Sequence, residues 1–248
     1  MEEKTTTPIK PYYQEGQSKA SEVEQMFNAI APKYDLLNHL LSMNIDKSWR
    51  RKAIRALSDL SPLDHILDVA TGTGDLAILA HKMLGVPVTG TDLTEGMIEI
   101  GRQKVQKLGL QNQIELAKAD SEALPFQDNS FDAVTVAFGV RNYAHLDKGL
   151  AEMARVIRKG GRMVILEFSK PRTFPMKQLY MFYFKNILPL IGRCVSKDSR
   201  AYEYLPESVL AFPDGADFER YLISVGMNPI KRISLTFGIA TIYIAEKQ

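Results

Sequence analysis

The sequence predicts an open, doubly wound α/β fold: a mostly parallel seven-stranded sheet with an antiparallel C-terminal hairpin and an N-terminal helical cap. Two patterns predict it. Five short β-branched runs, His65–Ala70, Val86–Asp92, Ile114–Asp120, Phe131–Ala137 and Arg162–Phe168, alternate with helical patterns at Leu76–Leu84, Glu95–Leu108, a short segment after Asp120, and His145–Ile157. Alternation of this kind demands parallel strands joined by right-handed crossovers. Two further runs, Asn228–Leu235 and Ile239–Ala245, follow a helix near Asp217–Val225 with too few residues between them for another helix, so they must pair as a hairpin at the sheet edge.

The remaining elements lie at the ends. Between Ser21 and Leu60 apolar residues recur at helical spacing (Val23, Met26, Phe27, Ile30, then Leu36, Leu37, Leu40, Leu41), and Pro32 separates the two stretches. A third helix from Lys47 to Leu60 places Trp49, Ile54 and Leu57 inward and a basic stripe, Arg50, Arg51, Lys52 and Arg55, toward solvent. Residues 1–20 read as a flexible arm. The rest, 21–248, reads as a single domain, with residues 21–60 as its cap and residues 171–205 as an aromatic insertion.

Composition restricts the function. With 31 Lys plus Arg against 29 Asp plus Glu in 248 residues, the net charge of +2 lacks the basic excess of a nucleic-acid binder. A single cysteine, Cys194, is expected to be inert, and the four scattered histidines have no metal-ligand spacing, so no metal site is expected. No stretch reaches the ~20 apolar residues of a membrane span. The chain therefore reads as cytoplasmic. Peripheral contact with the inner face of a membrane and homo-oligomerisation both remain compatible with it.

The chemistry concentrates at the strand ends. The first strand runs into Asp68-Val69-Ala70-Thr71-Gly72-Thr73-Gly74-Asp75, where glycines let a ligand approach the backbone. This loop fits the dinucleotide pattern as well as others. Asp75 at a helix N-terminus is hostile to a pyrophosphate, whereas carboxylates suit S-adenosylmethionine, which carries a sulfonium and an ammonium. Asp92 ends the second strand 18 residues after Gly74, placed to accept ribose hydroxyls, and Asp120-Ser121 ends the third, near an adenine. An NAD(P)-dependent oxidoreductase is the alternative, weakened by Asp75, the edge hairpin and the lack of a Tyr-x-x-x-Lys pair.

LDVATGTGD, TGTD, ADSEALPF followed by DNSFDAV, and RKGG before an apolar strand resemble the successive motifs of class I S-adenosylmethionine-dependent methyltransferases. More narrowly, FNAIAPKYDLLNHLLS at 27–42, FGVRN at 138–142, LEFSKP at 166–171 and YLPESV at 204–209 resemble the ubiquinone/menaquinone biosynthesis C-methyltransferase family. Ala70 departs from the general class I pattern, standing where those enzymes usually carry the first glycine, and Ala137 stands where some family members have serine. The resemblance implies cofactor contacts at Thr73, Asp92, Asp120 and Ser121, alongside Asp68, Gly72 and Gly74 of the loop. It implies methylation of a ring carbon of a polyprenylated quinol, with demethylmenaquinol ranked ahead of the benzoquinol.

Such a carbon attacks well only when the neighbouring hydroxyl is ionised. A phenol-like pKa of about 10 makes that cost near 4 kcal/mol at pH 7. Arg141, oriented by Asn142, is expected to stabilise the oxyanion or else to pair with an acid and pin its loop. Tyr34 and Asp35 are expected to cover the cofactor or carry a proton, or else to pack and cap. The insertion PMKQLYMFYFKNILPLIGR is apolar around its circumference, so it is either core or a lid over a prenyl tail. In the lid reading it rests near Lys170, Arg172, Lys177, Lys185 and Arg193.

Overall fold

A computed structural model of the chain describes residues 9–188 and 200–248. The strands are β1 (Ile66–Val69), β2 (Val88–Asp92), β3 (Ile114–Lys118), β4 (Phe131–Ala137), β5 (Ile157–Phe168), β6 (Met227–Leu235) and β7 (Ala240–Lys247), in sheet order β3-β2-β1-β4-β5-β7-β6. β7 runs antiparallel to both β5 and β6, so it alone is reversed and the hairpin places β6 at the edge. The order reverses between β1 and β4, and a crevice opens there at the carboxyl ends of the strands.

Helices α1 (Lys19–Ile30), α2 (Tyr34–Leu41) and α3 (Ile45–Arg55) form the cap, followed by α4 (Asp75–Leu84), α5 (Glu95–Lys107), α6 (Leu146–Val156), α7 (Met176–Phe182), α8 (Arg200–Ala211) and α9 (Ala216–Ser224). Strand alternation separates two cores. Ile66, Val164 and Leu166 pack on one face with Trp49, Ile54 and Leu57 of the cap. Leu67, Val69, Met163 and Ile165 pack on the other with Leu150 and Phe218. Each fully buried aliphatic of this kind contributes roughly 1.5–3 kcal/mol. Among the described residues no helix is long and apolar enough to cross a membrane.

Three segments differ from the sequence reading. The stretch after Asp120 forms turns and no helix. Asp120 accepts the Glu122 N–H at 2.8 Å, and Arg155 of α6 holds the carbonyls of Leu124 and Phe126, so side chains satisfy this backbone in place of helical bonds. Residues 9–18 are also more anchored than a free arm, because Glu22, wholly buried in α1, accepts the N–H groups of Tyr12, Tyr13 and Gln14. Finally, α8 is a helix although Pro206 lies inside it. Residues 1–8, Leu190, Arg193 and Cys194 lie outside the described residues.

Candidate functional site

The loop after β1 is built from left-handed backbone. Ala70, Gly72 and Gly74 have φ of 52°, 58° and 79°. For Ala70 this conformation costs roughly 1–2 kcal/mol, the price of carrying a side chain where glycine is unstrained. Asp92 at the end of β2 anchors the loop, its two carboxylate oxygens accepting Gly72 N–H and Thr94 N–H at 2.9 Å each.

Asp68 braces the loop from beneath. It is 1% exposed and accepts the Thr71 and Thr135 hydroxyls at 2.5 and 2.7 Å, and burial pushes its carboxyl up to about 6. The folded state therefore binds this proton more tightly than the unfolded chain. Its contribution to stability is fully present at low pH and is lost as pH rises from about 4 through about 6. Asp68→Asn is expected to gain about 3 kcal/mol on the wild type between pH 4 and pH 7. Urea unfolding at both pH values checks this, and a pH-independent difference would show that Asp68 is not titrating.

The next residues do structural work. Thr73 Oγ1 donates to Asp35 at 2.6 Å, and Lys104 Nζ reaches Thr73, Asp75 and Asp35 at 2.9, 2.6 and 2.7 Å. Asp35 thereby ties the cap to the glycine loop, and Asp75 is neutralised by Lys104, so its charge is not what repels a phosphate. Asp35, Asp68, Thr73 and Gly74 line neither of the two cavities at the crevice.

The smaller cavity, about 80 Å³, is lined by Gly72, Asp92, Asp120, Ser121 and Glu122, among others. Three carboxylates and no Lys or Arg line it, a donor set that fits a cationic ligand and not a pyrophosphate. Burial pushes the Asp92 carboxyl up. Glu122, which the sequence reading passed over, also accepts from His145 Nδ1 and His145 N at 2.8 Å each. Asp120 serves both the cavity wall and the turn it caps.

The larger cavity, about 280 Å³, is mainly apolar and shares Phe27, Tyr34, Phe138 and Asn142 with the smaller one. Tyr34 also covers the glycine loop: a Cβ on Gly72 would meet its ring at 3.7 Å. At the junction Phe138 holds φ 61°, left-handed for a bulky residue, and its carbonyl accepts from Arg141 Nη1 and Asn142 Nδ2. The structure shows Arg141 paired with an acid and pinning its loop. Its Nη1 donates to Glu167 at 3.0 Å and its guanidinium lies 5.4 Å from the Phe168 ring, yet it lines the cavity and its Nε, buried, has no partner. Glu167 is 0% exposed, and burial pushes its carboxyl up against the opposing pull of Arg141.

Arg50 departs from the solvent stripe assigned to it. It bonds Asp46 at 3.5 Å, sits 5.6 Å from the Phe138 ring and lines the larger cavity with Asp46. The aromatic insertion is core on one side and cavity wall on the other. Tyr180 and Phe184 are buried in a cluster with Leu188 and Tyr202, and all four line the cavity, while Phe174, Leu179 and Phe182 are exposed. Lys170 is committed to the carbonyls of Leu210 and Phe212, and Arg172 to Asp214 at 3.4 Å.

Residues 15–247 match the ubiE/COQ5 methyltransferase family. The demethylmenaquinone methyltransferase of Bacteroides fragilis is 52% identical over 240 residues, covering 96% of this chain and 97% of that protein. The ubiquinone/menaquinone biosynthesis C-methyltransferase UbiE of Geotalea daltonii is 47% identical, covering 92% and 97%. Among solved structures, a SAM-dependent methyltransferase from Aquifex aeolicus aligns with TM-score 0.56 at 21% identity, covering 78% of this chain and 88% of that one. Geranyl diphosphate C-methyltransferase from Streptomyces coelicolor aligns with TM-score 0.59 at 14% identity, covering 82% and 77%. These two speak for the fold alone. The family match over nearly the whole chain sets the oxidoreductase alternative aside: the chain belongs to the ubiE/COQ5 methyltransferase family and is an S-adenosylmethionine-dependent methyltransferase.

Proposed function

We propose that the protein methylates a ring carbon of a polyprenylated quinol, with demethylmenaquinol as the preferred substrate and menaquinol as the product. The observation that carries this reading is the pair of adjoining cavities: one lined by carboxylates without a cation, the other large and apolar, sharing a wall at Asn142 and Phe138. When bound, S-adenosylmethionine supplies an electrophilic methyl group on positively charged sulfur. Asp92, Asp120 and Ser121 hold it in the smaller cavity, with Tyr34 over the loop.

The quinol ring lies in the larger cavity, its accepting carbon toward Asn142. Arg141 lowers the cost of ionising the adjacent hydroxyl through the part of its guanidinium that Glu167 and Phe138, both bound to Nη1, leave over. Orientation of ring and donor across the shared wall contributes further, an effect that reaches roughly 7–11 kcal/mol in well-aligned reactions. Residues 171–188 and 200–205 cover the prenyl tail as a lid, and the exposed Phe174, Leu179 and Phe182 meet the membrane surface from which the substrate comes.

Incubation with labelled methyl donor and either reduced demethylmenaquinol or the 2-polyprenyl-6-methoxy-benzoquinol tests the assignment. Label is expected in the naphthoquinol, with any transfer to the benzoquinol slower. Incorporation into the benzoquinol alone would reverse the substrate ranking, and incorporation into neither would overturn the reading.

A further inference from the structure

Two tyrosines that line the larger cavity carry hydroxyls with no hydrogen-bond partner among the described residues. Tyr180 of α7 and Tyr204 of α8 line it, are 7% and 2% exposed, and bury their phenolic oxygens without a hydrogen bond. A buried hydroxyl left unpaired is destabilising, so phenylalanine would be the more stable residue at both positions unless a ligand supplies the missing bond. The surroundings offer no other use for them. Tyr180 stacks on Phe184 with centroids 4.2 Å apart, and Tyr204 packs on Val23 and Met26 of α1, contacts that a phenyl ring makes equally well.

Both hydroxyls are in the field of one ion pair, Arg141 favouring and Glu167 opposing their ionisation, while burial keeps both protonated. They can therefore donate a hydrogen bond or accept one, which the guanidinium cannot do. The ring expected here carries two oxygens on opposite sides. The Arg141 guanidinium answers the oxygen beside the accepting carbon, and the second needs a partner that can also accept, because it remains a hydroxyl through the reaction. It must likewise leave water and be paired inside an apolar cavity.

We propose that Tyr180 and Tyr204 bind the second ring hydroxyl and set the ring's orientation in the cavity, making them specificity-determining residues for the quinol. This rests on the assignment of the larger cavity to the quinol.

The test compares wild type, Tyr180→Phe, Tyr204→Phe and the double variant on two short-chain substrates. One is reduced demethylmenaquinol; the other is a prenylated naphthol that keeps the hydroxyl beside the accepting carbon and lacks the opposite one. Each single variant is expected to lower kcat/KM for the quinol about tenfold, the worth of one hydrogen bond of about 1.4 kcal/mol, mainly through KM. On the naphthol the variants should match the wild type within about twofold. Thermal midpoints without ligand should be unchanged or higher, since no native bond is lost, and S-adenosylhomocysteine affinity should not move.

Equal losses on both substrates, or none on either, would overturn the proposal while leaving the function intact. A wild type that methylates neither compound would instead sink the cavity assignment. A fall in the unliganded midpoint would show that the hydroxyls serve the fold, and that outcome also overturns the proposal.

Discussion

Joint replacement of Arg141 by methionine and Glu167 by glutamine is expected to lower turnover at pH 7 by about two to three orders of magnitude. The size follows from the chemistry, since holding a quinol oxygen as its anion three pH units below a phenolic pKa costs near 4 kcal/mol. Loss of one preorganised donor to a developing oxyanion typically slows a reaction by about 10²–10³. Arg141 lines the larger cavity, and Phe138 O and Glu167 hold its guanidinium in place through Nη1. Replacing Arg141 alone would confuse the result. Glu167, 0% exposed, would be left as an unpaired buried charge, and breaking such a pair costs roughly 3–5 kcal/mol of stability.

The double variant removes both charges and keeps volume. Its kcat should then climb about tenfold per pH unit toward the quinol pKa, because the ionised fraction is what it lacks, while the wild type should rise less steeply. Arg141 does not line the smaller cavity, so S-adenosylhomocysteine affinity should be unchanged. Turnover within fivefold of wild type, or a matching loss of donor binding, would remove Arg141 from this role.

The sheet and the strand-end acids were legible because they depend on local signals: period-two runs, glycines after a strand, an acid at the end of the next. What the sequence concealed were partners set by the fold. Asp75 looks like a bare charge at a helix start until Lys104, one helix later, is folded over it. Arg141 and Glu167 lie in two separate motifs 26 residues apart, and they meet because β4 and β5 run parallel with Ala137 paired to Leu166. That pairing was deducible in principle, since the residues following two adjacent parallel strands share one edge.

Arg50 shows the opposite failure. Helical periodicity placed it with Arg51 and Lys52, yet it is four residues from Asp46, and that buried acid turns its side chain toward the cavity. Nothing in the local pattern marked residues 200–211 as a helix, because Pro206 carries the strongest breaker signal and tertiary packing of Tyr202, Tyr204 and Val209 outweighs it. Tyr180 and Tyr204 were legible only as apolar rings. That their hydroxyls lack partners is a property of the packed molecule.

Asp92→Ala is expected to weaken S-adenosylhomocysteine binding about a hundredfold by calorimetry, with the loss appearing in KM for the donor and most of kcat retained at saturation. The two carboxylate oxygens of Asp92 accept one backbone N–H each and the Thr94 hydroxyl lies against the same group, which leaves acceptor positions for the hydroxyls of a ribose. A hydrogen bond to a charged acceptor is worth about 1.5–3 kcal/mol, and two at the low end give about 3, or a factor near 10². Asp92→Asn should lose less, about tenfold, because its amide still offers one acceptor.

Acidity gives an independent check with a definite sign. Burial raises the Asp92 carboxyl pKa, so donor affinity in the wild type should fall as the pH is lowered toward that raised value and the acceptor is protonated, whereas Asp92→Asn should lack this part of the dependence. Because the alanine variant also frees the N–H groups of Gly72 and Thr94, its unliganded thermal midpoint must be measured alongside. A drop in midpoint with unchanged affinity would make Asp92 a loop anchor only, and the carboxylate requirement of the smaller cavity would then fall on Asp120 and Glu122.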